Sequence, residues 1–358
     1  MLLGGLGRFR QKHRQIGIAA RLEDAAEQTR DAWRRLAEHG WLALAMPEQH
    51  GGYGARIGDL AMLMHAAGEG GWRVPLIECL GEAAGALLAA PAGVHRNRLL
   101  SEIVAGTSIV GLVGGPDEPG RPAFTATPVG DRYRVAGSSR AIASGGAWTH
   151  LLVVAQRSGT ADFDLYALEN SACDVRMRLY QNLDGGHAAD VEIVGTGADF
   201  IAAGTQSVKA AHQRGQLLAA AEVLGIARAA FDATREYLGQ RRQFGQPLLS
   251  FQALRHRLVD LYLRIRELTA LSDAAQTAYD ELRPDTERLL LKLRAHASRT
   301  GRVVAQQSIQ LHGGMGLSAE VGVGDYYKRV MQIDHAYGCY DDAIDRLAQT
   351  LELHPQTP

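Results

Sequence analysis

Apolar side chains recur every three or four residues from about residue 22 to residue 107, a spacing typical of amphipathic helices. The clearest sets are Trp33, Leu36 and Ala37, and Leu60, Leu63, Met64 and Ala67. Between them, residues 46–54 combine a proline with clustered glycines, which break a helix and make a turn. The pattern predicts an N-terminal α-helical domain over residues 1–107, with a connecting loop at 46–54.

From about residue 108 to residue 205 the helical spacing gives way to short apolar runs separated by turn residues. The runs are 109–113, 133–136, 151–155, 163–168 and 191–194. Strands at roughly ten-residue spacing without helices between them favour an antiparallel sheet or a small barrel over a doubly wound nucleotide-binding fold. We therefore predict a middle β domain over residues 108–205.

After residue 206 the helical pattern returns and continues to the end of the chain. One apolar stripe consists of Phe251, Leu254, Leu258, Leu261, Ile265 and Leu268. Pro284 separates this helix from the next, because proline cannot continue a helix interior. Long helices with short connections predict a C-terminal helical bundle over residues 206–358, and the fold class is α+β.

The balance of charge excludes several function classes. The net charge is −1, which gives no overall attraction to nucleic acid or to an anionic membrane. Only four lysines occur, so candidates for a Schiff-base or pyridoxal lysine are few. They are Lys12, Lys209, Lys292 and Lys328.

The cysteines and the apolar runs bear on the compartment. Cys79, Cys173 and Cys339 are far apart and fit neither a disulfide framework nor a zinc site, so we expect a reducing compartment and no bound metal. No run of about 18 apolar residues is present. We expect a cytoplasmic protein that does not span the membrane.

Two segments of the C-terminal region carry candidate binding chemistry. At the end of a predicted helix, the guanidinium of Arg241 could bind diphosphate oxygens, and Phe244 could offer a flat surface to a ring. A solvated arginine pair beside a core phenylalanine explains this segment equally well. In residues 310–316, closely spaced glycines permit close approach of the backbone to phosphate, although such a segment is more often a helix-ending turn.

Four segments together resemble the acyl-CoA dehydrogenase family along most of the chain. Residues 46–54 resemble its PEexGGxG loop, residues 241–245 with 251–252 its RxxFGxxxxxFQ signature, and residues 310–316 its QxxGGxG signature. The resemblance implies that the last two segments reach across a dimer interface to the ADP half of FAD held mainly by the neighbouring subunit. The cofactor-binding residues that it implies are Arg241, Gln243, Phe244, Gln252, Gln310, Gly313 and Gly314. His312 is expected to be structural.

The sequence departs from this family at the catalytic base. The family removes an α-proton of an acyl-CoA thioester with a glutamate, and the position of that glutamate falls on Tyr337. Some members carry it on the first bundle helix, at the position of Gly215. Glu222 is expected to be a solvated or interface charge, and Asp341 and Asp342 to begin the last helix. No catalytic residue is therefore predicted.

The flavin-facing part of the β region departs as well. The family's TEPxAGSD loop corresponds to residues 114–120, which lack that pattern. In the strand at residues 140–145, Ala141 replaces the tryptophan that stacks near the flavin, and Ala143 replaces the threonine that hydrogen-bonds to it. The residues implied to serve a partner's cofactor are thus better kept than those for this subunit's own flavin ring.

Three functional hypotheses follow from this asymmetry. The first is a subunit of a heterotetrameric, FAD-dependent acyl-CoA dehydrogenase of the bacterial type that acts on steroid or ring-derived acyl-CoA. It would complete the FAD site of a glutamate-bearing partner and pass electrons to an electron-transfer flavoprotein. The subunit with which it forms a tetramer is either this second acyl-CoA dehydrogenase subunit or another copy of the chain itself. The second is a self-sufficient flavoenzyme without a carboxylate base, such as a monooxygenase. The third is a scaffold subunit that has lost the cofactor.

Overall fold

A computed structural model of the chain describes residues 2–13, 16–19, 21–114, 116–118, 121–171, 174–318 and 320–352. Cys173 and part of the predicted loop at 114–120 lie outside these residues. The chain forms two compact units. A helical unit contains Met1–Arg14, Ile57–Trp72 and Gln216–Pro358, and a sheet unit contains Gln15–Arg56 and Arg73–Gly215.

Helices occupy both ends of the chain, as the apolar spacing predicts. The α-helices are α1 Leu2–Lys12, α2 Ala25–Glu38, α3 Ile57–Gly70, α4 Ala84–Ala89, α5 Val94–Ala105, α6 Gly204–Gln240, α7 Gln252–Asp280, α8 Thr286–His312, α9 Val323–Tyr337 and α10 Tyr340–Glu352. A π-helical segment, Ile77–Ala83, runs directly into α4. No helix among the described residues is long and apolar enough to cross a membrane.

The strands fall in the predicted middle region, apart from one short hairpin after α6. They are β1 Val110–Gly114, β2 Pro116–Glu118, β3 Arg121–Pro122, β4 Phe124–Val129, β5 Arg132–Ala143, β6 His150–Arg157, β7 Phe163–Glu169, β8 Val175–Gln181, β9 His187–Ala203, β10 Arg242–Gln243 and β11 Gln246–Pro247. The α+β class is therefore confirmed. The predicted domain boundaries at 107 and 205 remain predictions, although secondary structure changes at Val110 and Gly204.

The seven-stranded sheet of the sheet unit closes on itself through β6. Its order is β1-β6-β4-β5-β9-β7, β8 extends from β9, and β6 also pairs with β7. The ring is mostly antiparallel, as predicted, but β6 pairs parallel with β1 and β4. Residues 150–155 of β6 are buried without alternation, as expected for a strand covered on both faces.

The helical unit confirms the predicted stripe on α7. Leu258, Leu261, Ile265 and Leu268 are buried, and α7 ends before Pro284. Where α3 and α6 pack together, each helix presents a glycine to the other's backbone. A Cβ at Gly68 would collide with the carbonyl of Glu222, and one at Gly225 with the carbonyl of His65. Glycine is therefore required on both helices at this crossing.

A buried ionic cluster joins α8 to α9 in the helical unit. Asp334 accepts hydrogen bonds from Arg294 at 2.5 Å, from Ser298 at 2.9 Å and from Arg302 at 2.6 Å. Arg294 also donates to the carbonyl of Gly338 at 2.7 Å, which fixes the chain after α9. Since Arg294 and Asp334 are buried, removal of either partner leaves an uncompensated charge.

We therefore expect Asp334→Ala to lower the free energy of unfolding by about 3–5 kcal/mol, because two arginines lose their carboxylate. Urea unfolding followed by circular dichroism measures the change. The matched control is Asp325→Ala on the same helix, which breaks the half-exposed pair with Lys328 and should cost about 0–1 kcal/mol. Equal decreases in the free energy of unfolding for the two variants would show that the buried cluster stabilises the fold no more than the half-exposed pair does.

Candidate functional site

The predicted binding residues of the first C-terminal motif form a short hairpin at the end of α6. The backbone N–H of Arg241 donates to Tyr237 at 2.8 Å, and its carbonyl accepts from Leu248 at 2.8 Å. These bonds fix the main chain at both ends of the β10–β11 hairpin. The Arg241 side chain is exposed and has no hydrogen bond or ion pair with any residue the structure describes. Its guanidinium is available to an external anion.

Phe244 occupies the hairpin turn in a backbone conformation that side chains rarely adopt. Its φ is 53°, Gly245 follows at φ 80°, and 88% of Phe244 is exposed. A bulky residue in the left-handed region is strained, and such strain persists where the surrounding structure or function requires it. The ring meets Phe251 edge-on, with centroids 6.1 Å apart. Gln243 and Gln252 are also exposed on this hairpin and at the start of α7.

The second motif lies where α8 ends. Gln310 is exposed on the last turn, and Gly313 has φ 60° and ψ −141°, a combination open to glycine. A Cβ at Gly313 or Gly314 would meet no atom within 4 Å. The two glycines thus leave a bare, exposed stretch of backbone after the helix.

His312 ties the two motifs together. Its ring stacks on Tyr237 of α6 at 4.4 Å, and its Nδ1 lies 2.7 Å from the carbonyl of Ser308. The Tyr237 hydroxyl donates to the carbonyl of His312 at 3.3 Å. The His312 ring is buried and makes packing contacts, as expected for a structural histidine. These contacts hold the ends of α6 and α8 together within the helical unit.

The donor set at this place fits the ADP half of FAD. Arg241 can bind diphosphate oxygens through two N–H groups, and the backbone after α8 can approach phosphate closely. Phe244 supplies an apolar face for a ring. All seven predicted cofactor residues lie at the surface of the helical unit, where a neighbouring subunit's cofactor could reach them.

The strand predicted to face this chain's own flavin ring is distorted. Ala141 has φ 58° and Ser144 φ 55°, and the pairing of β5 with β9 shifts register between Ser139 and Ile142. The backbone N–H of Ala141 donates to Asp190 at 3.3 Å. Bulges of this kind redirect side chains near functional sites. The exposed alanine offers no large ring at this position.

The structure corrects one prediction about acidic residues. Glu222 is not a solvated charge: it is 1% exposed, and its two oxygens accept hydrogen bonds from Arg329 at 2.6 and 3.0 Å. The spacing of residues along α6 could not reveal this ion pair, because the partner of Glu222 lies on α9. Asp341 and Asp342 lie in the first turn of α10, as predicted, and Asp342 accepts from the N–H of Cys339 at 2.8 Å.

Tyr337 is the last residue of α9 and is 7% exposed. A phenol is almost fully protonated at neutral pH, which makes it a poor proton acceptor. The position implied for the family's glutamate is therefore filled by a buried side chain of the wrong acidity.

The second position implied for a glutamate, Gly215, is covered by another acidic side chain. Glu82 extends from the π-helical segment over α6, and a Cβ at Gly215 would lie 2.9 Å from its Cγ and 3.6 Å from its Oε1. Burial raises the pKa of Glu82 to about 8, and the nearby Glu78 adds to the effect. Sequence analysis missed Glu82, although Glu78 and Glu82 are two carboxylates in an otherwise apolar run.

A cavity of about 400 Å³ lies within the helical unit between α1, α3, α6 and α7. Its lining includes His65, Glu69 and Arg228. Burial, with Arg228 and Arg10 nearby, lowers the pKa of His65 to about 4, so this histidine is neutral at physiological pH. None of these side chains belongs to the predicted motifs.

Comparisons with known proteins agree with the motifs. Residues 7–107 match the acyl-CoA dehydrogenase N-terminal domain, and residues 202–351 match the acyl-CoA dehydrogenase C-terminal domain. The chain is 30% identical to acyl-CoA dehydrogenase IpdE2 of Mycobacterium tuberculosis over 303 residues, which cover 83% of this chain and 79% of that protein.

Two similar solved structures extend over nearly the whole chain. The Tcur3481-Tcur3483 steroid ACAD has a TM-score of 0.83 at 26% identity and covers 99% of both chains. The ChsE4-ChsE5 complex from Mycobacterium tuberculosis has a TM-score of 0.83 at 25% identity, covering 92% of this chain and 89% of that chain. The two domain matches and the relative at 30% identity show that the protein belongs to the acyl-CoA dehydrogenase family, whose members are FAD-dependent oxidoreductases.

Proposed function

We propose that the chain is one subunit of a heteromeric acyl-CoA dehydrogenase and completes the FAD site of a second, glutamate-bearing subunit. The observation that carries this proposal is the exposed guanidinium of Arg241, which has no partner among the described residues, beside the strained, exposed Phe244. Backbone strain at an exposed aromatic residue costs the folded chain free energy and is typical of residues that serve a ligand or a partner. Both groups match a cofactor presented from outside.

The α,β-dehydrogenation of an acyl-CoA thioester needs a proton acceptor at Cα and a hydride acceptor at Cβ. FAD, when bound, supplies the hydride acceptor. Arg241 would neutralise diphosphate charge, the backbone at Gly313 and Gly314 would donate N–H groups to it, and Phe244 would exclude water from one face. Gln243, Gln252 and Gln310 would orient the remaining polar atoms of the ADP half.

An exposed apolar face of α7 supports assembly with another subunit. Val259, Tyr262 and Leu263 are 53%, 48% and 52% exposed, next to the buried stripe of the same helix. Large apolar side chains grouped on one helix are typical of subunit interfaces. A heterotetramer with two copies of each subunit would cover this face and bring the two C-terminal motifs to the partner's cofactor.

The relatives suggest a substrate class. One similar structure is a steroid ACAD and another is the ChsE4-ChsE5 complex. We infer that the acyl group is steroid-like or ring-derived, and that the electrons pass to an electron-transfer flavoprotein.

Co-expression with a glutamate-bearing acyl-CoA dehydrogenase subunit from the same genome tests this function. We expect a stable complex that holds FAD and dehydrogenates a steroid acyl-CoA, and a chain with little flavin when it is expressed alone. A monomer that neither associates nor acquires flavin in the presence of that subunit contradicts the proposal. A yellow, active chain alone would instead identify a self-sufficient enzyme.

Arg241→Ala should weaken FAD retention by the complex about tenfold or more, because a charge-assisted phosphate contact contributes about 1.5–3 kcal/mol. Flavin released on dilution is measured by fluorescence. The matched control is Arg235→Ala, which removes an exposed arginine on α6 whose partner is Asp232. If both variants retain flavin like the native complex, Arg241 is only a surface charge.

Tyr337→Phe should leave the rate of dehydrogenation by the complex within a few-fold, because a buried phenol does not serve as the base. Steady-state turnover with flavin content matched between samples measures this. A loss of about a hundredfold, the size expected for a general base, would place Tyr337 in the chemistry.

A further inference from the structure

The carboxyl of Glu82 lies in an unusual backbone setting. It belongs to the π-helical segment, in which the N–H of Ala84 reaches back to the carbonyl of Cys79. Single π turns inside helices are rare and occur frequently at functional sites. Arg214 of α6 donates to the carbonyl of Leu80 at 2.9 Å and fixes the segment against that helix.

Two glycines, Gly85 near the start of α4 and Gly215 on α6, allow α6 to approach the π-helical segment and the helix that follows it. A Cβ at Gly85 would meet the backbone of Ala210 and Ala211 at 3.2 Å, and a Cβ at Gly215 would press against the Glu82 side chain. The Glu82 side chain therefore occupies the space above Gly215 that any larger residue there would fill. The close approach fixes the stem of Glu82 without an ion pair.

Glu82 combines a desolvated carboxyl with a part-buried side chain. Among the residues that the structure describes, no hydrogen bond or ion pair is found for its carboxyl. Gly81 and Ala83 on either side are buried, and Glu82 as a residue is part-buried. An unpaired carboxyl that titrates near physiological pH has the acidity of a general base.

The other acidic residues considered for the chemistry are committed elsewhere. Glu222 is held by Arg329 through both oxygens. Asp342 caps the start of α10, and the N–H of Cys339 lowers its pKa. A carboxylate that is already hydrogen-bonded is a weaker proton acceptor than a free one.

We propose that Glu82, held over Gly215 of α6, is the proton-accepting carboxylate of an acyl-CoA site in this chain itself. In the reaction, a Glu82 oxygen takes the proton from the carbon next to the thioester carbonyl. The electron pair of that C–H bond becomes the Cα–Cβ double bond as the β-hydrogen leaves as hydride to oxidised flavin. The acyl group loses two electrons, for which FAD, when bound, would supply the acceptor. This inference rests on the family's reaction and not on the heteromeric assembly.

A CoA thioester with a triple bond tests the assignment without depending on turnover. With 2-butynoyl-CoA, a carboxylate oxygen adds to the β-carbon, one π bond breaks and the α-carbon takes a proton from solvent. The butynoyl group is short enough to enter a pocket shaped for a longer chain. The full chain, alone and in the co-expressed complex, is treated and digested, and the modified peptide is identified by mass spectrometry.

We expect the adduct on Glu82, its loss in Glu82→Gln, and its retention in the matched variant Glu78→Gln. Either no adduct at Glu82 in the native chain or an adduct only on another carboxylate overturns the proposal. Flavin content in the co-expressed complex is a separate measurement, so failure of the heteromeric function and failure of this assignment give different results.

Glu82→Gln should also change how stability depends on pH. A folded-state pKa raised from 4.5 to about 8 means that the folded chain keeps a proton that the unfolded chain has lost, so stability falls as pH rises between these values. Glutamine has no such proton. Glu78 and Cys79 lie on the same segment, and Lys209, His212 and Arg214 lie on the part of α6 near Gly215, while β1 and α4 carry no ionisable side chain.

Thermal unfolding of the flavin-free chain should therefore show Glu82→Gln to be more stable than the native chain at about pH 9, by about 3 °C or more. The difference should shrink toward pH 5. A difference in unfolding temperature that stays constant across this range would mean that Glu82 is an ordinary solvated carboxylate, and would remove the basis for its role as a base.

Discussion

Helix α6 depends on glycine wherever another helical segment crosses it closely. In the helical unit, Gly225 meets the backbone of α3, and Gly68 of α3 meets the backbone of α6. In the sheet unit, Gly85 lies against α6 within the contact distance of a single methyl group. A Cβ at the first two positions would force the helices apart. This contact geometry determines which side chains come to lie over α6. The two functional proposals concern Glu82, which lies over Gly215 of α6, and Arg241, which directly follows α6.

Much of the fold could be predicted from the sequence because the spacing of apolar residues and the helix-breaking residues were clear. The stripe on α7 repeats at helix spacing, Pro284 ends the helix, and the apolar runs of the middle region became strands. The parallel pairing of β6 with β1 could not be predicted, since it depends on the path of the sheet and not on any local pattern. The register of a closed sheet is a tertiary property.

Some residues of the candidate site could be predicted from local sequence, whereas others depend on tertiary contacts. Arg241 and Gly313 lie in sequence signatures, so the order of residues along the chain is enough to reveal their resemblance. The partner of Glu222 comes from α9, more than a hundred residues away along the chain, and only the packing of helices brings Arg329 to it. In the sequence, Glu82 is one of two carboxylates in an apolar run, and only the structure shows that its side chain lies against the bare backbone of Gly215.

The contact between Glu82 and Gly215 has a consequence for the history of this chain. A Cβ added at 215 would lie 2.9 Å from the Cγ of Glu82, so Glu82 would have to leave its present rotamer to make room for it. An acidic side chain at 215 would therefore compete with Glu82 for the same space. Among relatives with this π turn, residues 82 and 215 should therefore covary, with an acid at one and a small residue at the other.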